Sequence, residues 1–337
     1  MTEILKMEPV SDEDESPLEF RFEKESGERA MNEIKTVSLI GLGALGILYA
    51  SRIQKVLEKD ELRIIADSNR IHKYQQEGIY CNGERCSFHY VTPDTPVKPA
   101  DLLMICTKST GLSQAIQDVA NHVGPETTIL SAINGITSEE VIAETYGSEK
   151  VLYAVAQNTD ATRTGTHLTY HSVGSLALGE KDKSISPRLL MVKSLLDKAG
   201  IGCEVPQDIL RHQWSKFMFN VGLNQVTTVF ETNYGGVQEP GEARRMMLDA
   251  MDEVRRLSLP AGIGLTKEDI QYWMDMLDTL APECKPSMRQ DAEASRPTEL
   301  ALFAGTVRKL GKQFGMDTPV NDFLFDKISE MEDHYGK

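Results

Sequence analysis

Six residues constrain the fold of this chain more than any others: Gly41-Leu42-Gly43-Ala44-Leu45-Gly46 has the spacing G-x-G-x-x-G. A β-branched and aliphatic run at residues 37–40 precedes them, and apolar residues at helical spacing follow from residue 44 to about residue 56. In this context the first glycine allows a tight turn, the second lets the backbone approach a pyrophosphate, and the third lets the helix pack on the strand. The pattern therefore predicts a dinucleotide site; the alternative is a glycine-rich turn that holds no ligand.

Strand and helix patterns then alternate as far as about residue 180. Strand-like runs occupy residues 62–66, 101–106, 127–133, 151–156, 166–171 and 173–179, and helical patterns occupy 110–122 and 138–145. Asn82-Gly83 predicts a hairpin between residues 79–81 and 87–91. Beyond about residue 200 the patterns are helical, over 207–230, 239–258, 266–280, 297–314 and 320–333. The predicted class is α/β, with an N-terminal Rossmann-type doubly wound sheet followed by an all-helical C-terminal domain.

The first 33 residues differ from the rest of the chain. They contain eleven acidic and four basic residues without apolar periodicity, which predicts a disordered acidic tail over residues 1–33. We predict a dinucleotide-binding Rossmann domain over residues 34–204 and a helical substrate and catalytic domain over residues 205–337.

Composition excludes several classes of function. The formal net charge of −15 argues against a nucleic-acid-binding protein, which needs a basic face. No apolar run approaches the roughly 20 residues that cross a bilayer, and the N-terminus lacks the features of a secretory signal. The five cysteines form no CxxC pair, so we expect reduced thiols in a cytoplasmic protein. His167 and His171 lack other ligand types nearby, so no metal site is expected.

Asp67 follows the second predicted strand, 21 residues after Gly46. A carboxylate at this place accepts hydrogen bonds from the adenosine ribose hydroxyls, which favours NAD. Arg70 and Lys73 lie just beyond it and are long enough to reach the 2′-phosphate of NADP. The alternative role of Asp67 is the N-cap of the next helical turn.

Lys108 and Asn134 each come just after a predicted strand, at the edge of the sheet where ligands bind in this class of fold. Both positions have a simpler explanation. Lys108 has the alternative of a solvent-facing loop lysine, and Asn134 that of a plain Asn-Gly turn.

A polar stripe runs along the helix predicted over residues 207–230. Lys216, Asn220 and Asn224 are four residues apart, so they share one helix face within apolar and aromatic sequence. A lysine in such surroundings loses solvation, which lowers its pKa towards the range useful for acid–base catalysis. The alternative is a solvent-facing stripe, although asparagine is a poor helix former. Glu299 follows Pro297 and is expected in the first turn of a helix, where acids commonly complement the helix dipole.

Residues 35–333 resemble the ketopantoate reductase (2-dehydropantoate 2-reductase) family. The resemblance rests on the glycine motif, Thr107-Lys108, Asn134-Gly135, the Trp-Ser-Lys-x-x-x-Asn-x-x-x-Asn helix at 214–224, and Ser287 followed by Arg-Pro-Thr-Glu at 296–299. It implies a Rossmann fold, NADPH as the usual cofactor, and the following roles. The general acid is Lys216, supported by Glu299; the substrate is held by Asn220, Asn224 and Ser287; the cofactor is touched by Lys108, Asn134 and Ala161.

Two positions depart from the family pattern. Asp67 stands where many members have an arginine for the 2′-phosphate, and Tyr234 falls where some members have a substrate-contacting asparagine. The first departure bears on the choice between NADP and NAD, and the second on the identity of the substrate.

The resemblance implies an oxidoreductase that reduces 2-dehydropantoate to pantoate for pantothenate and coenzyme A biosynthesis. The expected partners are a small 2-oxo acid and a second copy of the chain in a homodimer, with no nucleic acid and no membrane. Two alternatives stay open: an NAD(P)-dependent dehydrogenase of another small 2-hydroxy acid, and a non-catalytic redox sensor that binds the dinucleotide.

Overall fold

The computed structural model describes residues 33–335. All of the strands within this range end at or before Glu204, and the elements after Glu204 are helices. We call residues 33–204 the sheet part and residues 205–335 the helical part. The division into domains at residues 34–204 and 205–337 stays a prediction. The predicted tail, residues 1–33, lies outside the described residues apart from Glu33.

The described strands form two sheets and are numbered in chain order. They are β1 (Val37–Ile40), β2 (Leu62–Ile65), β3 (Ile79–Cys81), β4 (Glu84–Cys86), β5 (His89–Val91), β6 (Leu102–Ile105), β7 (Thr128–Ser131), β8 (Val151–Gln157), β9 (Asp160–Thr164), β10 (His167–Ser172), β11 (Ser175–Gly179) and β12 (Gly202–Glu204). The larger sheet has the order β12-β11-β8-β7-β6-β1-β2-β5, and only its β8–β11 pair is antiparallel. The smaller sheet has the order β4-β3-β10-β9.

The sheet part also contains five α-helices. They are α1 (Ala44–Ile53), α2 (Ser68–Glu77), α3 (Leu112–Asp118), α4 (Ser138–Tyr146) and α5 (Pro187–Lys198). In the sheet, β2 lies on one side of β1 and β6 on the other, so the chain reverses its winding direction between β1 and β6. Ligands of doubly wound folds bind at the carboxyl ends of the strands beside such a switch point.

The helical part packs around one long helix. Its helices are α6 (Ile209–Val229), α7 (Gly235–Gln238), α8 (Glu242–Ser258), α9 (Lys267–Asp278), α10 (Ser287–Glu293), α11 (Ala304–Phe314) and α12 (Pro319–Glu332). From Phe217 to Thr228 nearly every residue of α6 is buried, so this helix is the centre of the helical core rather than a surface element. The predicted fold class, a Rossmann-type sheet followed by helices, is confirmed.

Two predicted elements are wrong in their bounds. The hairpin at Asn82-Gly83 exists, but its second strand is β4, because both turn residues have positive φ (48° and 83°) and a two-residue turn resumes pairing at once. The helix predicted from residue 297 begins only at Ala304. The amides of Leu302 and Phe303 both donate to the carbonyl of Glu299, which makes a tight turn there instead of a helix.

The sequence analysis did not predict helix α5, although its start has a clear local signal. Ser186 caps the helix by accepting a hydrogen bond from the amide of Leu189, and Pro187 occupies the first helical position. Within residues 33–335, no helix is both long and apolar enough to cross a bilayer. The five cysteines all fall in this range and none forms a disulfide.

A buried polar pair lies under the larger sheet. The hydroxyl of Ser38 on β1 lies 2.7 Å from Nδ1 of His122, and both residues are completely buried. Nε2 of His122 finds no partner among residues 33–335. Burial, and secondarily the positive charge of Arg63, lowers the pKa of His122 to about 4, so the imidazole stays neutral in the folded protein.

Acid should therefore destabilise the fold through His122. Its ordinary pKa is 6.5, so between pH 6.5 and about 4 the unfolded chain binds a proton that the folded chain does not. We expect His122 to contribute a loss of about 2–3 kcal/mol in the free energy of unfolding between pH 7 and pH 4.5. Urea unfolding at several pH values would measure it. The double variant Ser38→Ala/His122→Leu removes both polar partners, and an identical pH slope in that variant would contradict the assignment.

Candidate active site

The glycine turn joins β1 to α1 with almost no free space. Gly41 has φ of +97°, and a Cβ atom there would lie 2.7 Å from the carbonyl carbon of Cys106. A Cβ atom on Gly46 would lie 1.9 Å from the carbonyl oxygen of Gly41. Gly43 differs, because a Cβ atom there would lie 3.7 Å from its nearest neighbour. Two of the glycines are thus needed for packing, whereas Gly43 has room for a Cβ atom at an ordinary contact distance.

The surroundings of Gly43 have the chemistry of a pyrophosphate site. Helix α1 begins at Ala44, and its N-cap residue, Gly43, has no side chain to bind the first amides of the helix. These amides are therefore available to a ligand. The hydroxyl of Thr107, just after β6, is buried and has no hydrogen-bond partner among residues 33–335. The predicted cofactor residues Gly41, Leu42, Gly43, Ala44, Leu45 and Gly46 therefore fit a bound dinucleotide.

Asp67 stands at the carboxyl end of β2 and caps α2. Its Oδ1 accepts a 2.9 Å hydrogen bond from the amide of Arg70, and its Oδ2 lies 3.4 Å from Nε of the same arginine. The N-cap role foreseen as the alternative is thus present in the structure. The cap leaves Asp67 about half exposed at the sheet edge, with a cation beside it.

Lys108, just after β6, is paired with a carboxylate of the helical part. Its ammonium donates a 2.8 Å hydrogen bond to Oδ2 of Asp291 on α10, and Arg296 binds Oδ1 of the same carboxylate at 2.9 Å. Asp291 is 8% exposed, so this nearly buried carboxylate joins the sheet part to the helical part. The sequence analysis missed Asp291, because a pair separated by 183 residues leaves no trace in local spacing.

Lys216, Asn134 and Glu299 form the centre of the site. Nζ of Lys216 donates a 3.1 Å hydrogen bond to Oδ1 of Asn134 and another to the carbonyl oxygen of Ala156 at the end of β8. Nδ2 of Asn134 donates to Oε2 of Glu299 at 3.3 Å. One asparagine thus bridges the two residues that the resemblance makes catalytic.

The turn that carries Asn134 is shaped by its neighbour. Gly135 has φ of +95°, and a Cβ atom there would lie 2.7 Å from the side chain of Leu302. The segment that begins at Glu299 therefore packs directly on the turn after β7. This close packing explains why Glu299 reaches Asn134 although it lies outside a helix.

The electrostatics of the centre suit proton transfer. Burial lowers the pKa of Lys216 to about 8, and the negative charge of Glu299 opposes part of that shift. Burial also raises the pKa of Glu299, partly opposed by the Asn134 hydrogen bond and by the positive charge of Lys108. Lys216 therefore loses its proton close to neutral pH, where an acid–base catalyst is most effective.

The predicted substrate residues lie on α6 and at the start of α10. Asn220 and Asn224 continue the stripe of Lys216, and Asn224 is only 4% exposed. The structure gives no hydrogen-bond partner within residues 33–335 for the side-chain amide of either asparagine. Ser287 is the first residue of α10, which packs against α6, and it is exposed.

Two further residues named in the sequence analysis, Ala161 and Tyr234, lie on β9 and just before α7. Ala161 is half-buried on β9, one residue after Asp160. Tyr234 precedes α7, and burial, with smaller contributions from Cys284 and Asp160, raises its pKa to about 12. Asp160, at the start of β9, is therefore close enough to disfavour the ionised form of Tyr234.

Two family models match this chain. One described as Ketopantoate reductase PanE/ApbA matches residues 37–183, and one described as Ketopantoate reductase PanE/ApbA C terminal matches residues 208–332. Together they cover well over half of the sequence, including the glycine turn, Lys216 and Glu299.

Curated relatives carry the same family name, and solved structures share the fold. The 2-dehydropantoate 2-reductase of Streptococcus pyogenes is 26% identical over 301 residues, which cover 88% of this chain and 97% of the relative. A ketopantoate reductase structure from Ralstonia eutropha has a TM-score of 0.79 at 20% identity and covers 90% of this chain and 100% of that one. A D-mandelate dehydrogenase structure with NADH has the same TM-score at 22% identity and the same coverage.

Gly43 and Gly46 offer a matched pair of substitutions. Gly43→Ala should fold normally, because its φ of −75° suits alanine and the Cβ has room, but the added methyl group enters the proposed pyrophosphate space. We expect dinucleotide affinity to fall at least about tenfold, since donors and ligand are forced apart. Gly46→Ala should lower the melting temperature instead, because its Cβ collides with backbone.

Fluorescence titration with NADPH and thermal denaturation would separate these two effects. Unchanged NADPH affinity in a folded Gly43→Ala variant would show that the cofactor does not approach this turn.

Proposed function

The chain belongs to the ketopantoate reductase family and is an oxidoreductase, and we propose that it reduces 2-dehydropantoate to pantoate with a hydride from NADPH. The observation that carries this proposal is the hydrogen-bonded chain from Lys216 through Asn134 to Glu299. It sets an ammonium with a pKa of about 8 near the carboxyl edge of a dinucleotide-type sheet.

Lys216 is the proposed general acid. A dinucleotide held at the glycine turn of residues 41–46 would supply the hydride for the ketone carbon of the substrate. As negative charge grows on the ketone oxygen, the ammonium of Lys216 stabilises it and then donates its proton to it. In the ground state the carbonyl of Ala156 and the side chain of Asn134 hold Nζ in place, so little reorganisation is needed when the substrate arrives.

Glu299 keeps Lys216 charged. Burial by itself favours the neutral amine, and the nearby carboxylate offsets part of that effect. Asn134 fixes the distance between the two groups by binding both of them. Loss of Glu299 is therefore expected to lower the pKa of Lys216 further and to reduce the fraction of active ammonium at neutral pH.

The proposed substrate site is the polar face of α6. Asn220 and Asn224 present amides that are otherwise surrounded by buried apolar residues, and Ser287 offers a hydroxyl from the adjoining helix. Amides and a hydroxyl suit the carboxylate and hydroxyl groups of a small 2-oxo acid, and they orient its ketone carbon for hydride attack. A homodimer is the proposed assembly, which light scattering would check.

The proposed cofactor is NADPH, with NADH also used. Asp67 opposes a 2′-phosphate by charge, but Arg70 already lies 3.4 Å from that carboxylate and can turn towards a phosphate. We expect both cofactors to support turnover, with only a modest preference for NADPH.

A second candidate function is reduction of a different 2-oxo acid. Tyr234 places an aromatic side chain where some family members have an asparagine, and the fold is shared with a D-mandelate dehydrogenase. Steady-state absorbance assays with 2-dehydropantoate, phenylglyoxylate and pyruvate, each with NADPH and NADH, would decide between them. A kcat/KM for 2-dehydropantoate below that for phenylglyoxylate would reject the first substrate. No turnover with any of the three would favour a binding protein.

Lys216→Ala should lose most of its turnover and keep its cofactor affinity. General acid catalysis contributes roughly 10²–10⁴-fold in rate, so we expect kcat to fall by at least about 10²-fold. In the native protein, kcat for reduction should decline above a pH of about 8, because the neutral amine has no proton to give. Lys193→Ala, which removes a partly exposed lysine on α5 that pairs with Asp197, is the control. A loss of less than fivefold would remove Lys216 from the reaction.

Asp67→Arg should raise the NADPH/NADH ratio of kcat/KM about tenfold, because it replaces a repulsive charge with a phosphate partner. Glu77→Arg, at the other end of α2, makes the same change in net charge away from the sheet edge. The loss of the N-cap in Asp67→Arg costs about 1 kcal/mol of stability, so both variants are assayed well below their melting temperatures. Equal ratios in the two variants would place Asp67 outside the adenosine pocket.

A further inference from the structure

A completely buried carboxylate lies between the sheet part and the helical part. Glu139, the second residue of α4, has no exposed surface. Its Oε1 accepts a 2.9 Å hydrogen bond from Nε2 of Gln213 on α6, and its Oε2 accepts one of 2.9 Å from the hydroxyl of Ser138. No lysine, arginine or histidine within residues 33–335 forms a salt bridge with it. A carboxylate buried without a cation is costly, so its hydrogen bonds must be well placed.

The partners of Glu139 lead back to the catalytic turn. The hydroxyl of Ser138 accepts a 2.9 Å hydrogen bond from that of Ser131, the last residue of β7. Ser131 also binds the amide of Ile133, directly before Asn134. The segment from Ser131 to Glu139 therefore holds both Asn134 and the acceptor for Gln213 as one hydrogen-bonded unit.

Helix α6 contacts that unit at two points that are one turn apart. Gln213 binds Glu139, and Lys216, three residues later, binds Asn134. The two bonds fix both the rotation of α6 and its position along its own axis relative to the turn after β7. Because the two residues lie on one rigid helix, a shift of α6 after loss of the Gln213–Glu139 bond also moves Lys216 relative to Asn134.

We infer that Glu139 and Gln213 are positioning residues for the general acid, and that their hydrogen bond keeps the Lys216 ammonium on Asn134 and out of water. This inference rests on the proposed role of Lys216 and assigns a function to a buried pair that makes no contact with the reacting atoms. It predicts that breaking the Glu139–Gln213 hydrogen bond changes the proton affinity of Lys216.

The charges around Lys216 and Glu139 define the direction in which we expect the pKa of Lys216 to move. Lys216 is faced by Glu299 from the segment before α11 and by His212 from its own helix. Glu139 is faced by Tyr153 of β8, and burial raises the pKa of this carboxyl to about 7. Glu139 itself is not among the charges that shift Lys216, so the effect of its loss is positional. When the helix shifts, Nζ regains water and its pKa moves up from about 8 towards 10.5.

Competitive labelling measures the pKa of Lys216 without any need for turnover. Acetic anhydride modifies only the neutral amine, so the pH dependence of Lys216 acetylation, followed by mass spectrometry, gives its pKa. Glu139→Leu and Gln213→Leu each break the bond, and we expect each to raise the pKa of Lys216 by at least half a unit. Glu139→Gln keeps an acceptor for Gln213 and should stay within 0.2 unit of the native value.

The same variants are then assayed for reduction. The two leucine variants should lower kcat about tenfold and move the alkaline limb of the pH profile upward, and the double leucine variant should be no worse than either one. Glu140→Gln changes the neighbouring exposed glutamate, which binds Tyr153 and Lys181, and serves as the matched control. If Glu139→Leu does not fold, Gln213→Leu carries the test from the other end of the bond.

The outcomes separate this inference from the proposed function. A folded leucine variant whose Lys216 keeps the native pKa and kcat overturns the positioning role, even if the native protein reduces 2-dehydropantoate. A native protein that turns over none of the three 2-oxo acids, but whose leucine variants shift the pKa of Lys216, keeps the positioning role and loses the proposed reaction.

Discussion

A lysine ammonium taken out of water must find acceptors, and the placement of Lys216 depends on this requirement. Its two acceptors come from different parts of the sheet: the carbonyl of Ala156 lies one residue before the end of β8, and Asn134 lies in the turn after β7. The compensating charge comes from Glu299, in the segment before α11. Helix α6 can therefore deliver a charged lysine only if the sheet and the later helices are already in place.

The sheet part and the helical part meet through apolar contacts, such as that of Leu302 with Gly135, and through polar pairs. Three of the polar pairs are Lys108 with Asp291, Asn134 with Glu299, and Glu139 with Gln213. Such pairs add little stability beyond the cost of desolvation, but they specify one arrangement among many that an apolar interface would tolerate. Geometry at the lysine is thus set by directional bonds, whereas stability comes from the apolar cores on either side.

In the cofactor region, close packing and the proposed cofactor contacts depend on different residues. Close packing at Gly41 and Gly46 brings β1, β6 and α1 together, whereas Gly43 has room for a Cβ atom. The buried hydroxyl of Thr107, after β6, has no partner within residues 33–335. We propose that discrimination between cofactors takes place further along the sheet edge, at Asp67. The Asp67 carboxylate also caps α2, so a substitution there that changes cofactor preference also affects the stability of the helix.

The sequence by itself determined the features that depend on spacing over a few residues. The glycine motif, the alternation of strands and helices, and the stripe of Lys216, Asn220 and Asn224 are local patterns, because backbone geometry fixes which near neighbours share a face. Where local signals competed with tertiary ones, the prediction failed: Glu299 was expected in a helix, but the amide of Thr298 donates to Glu332 of α12, and the backbone turns instead. Only the tertiary structure decided that Lys108 binds Asp291 and that Gln213 binds Glu139. These bonds join residues 183 and 74 positions apart, and their formation depends on how the apolar cores pack, which no short stretch of sequence encodes.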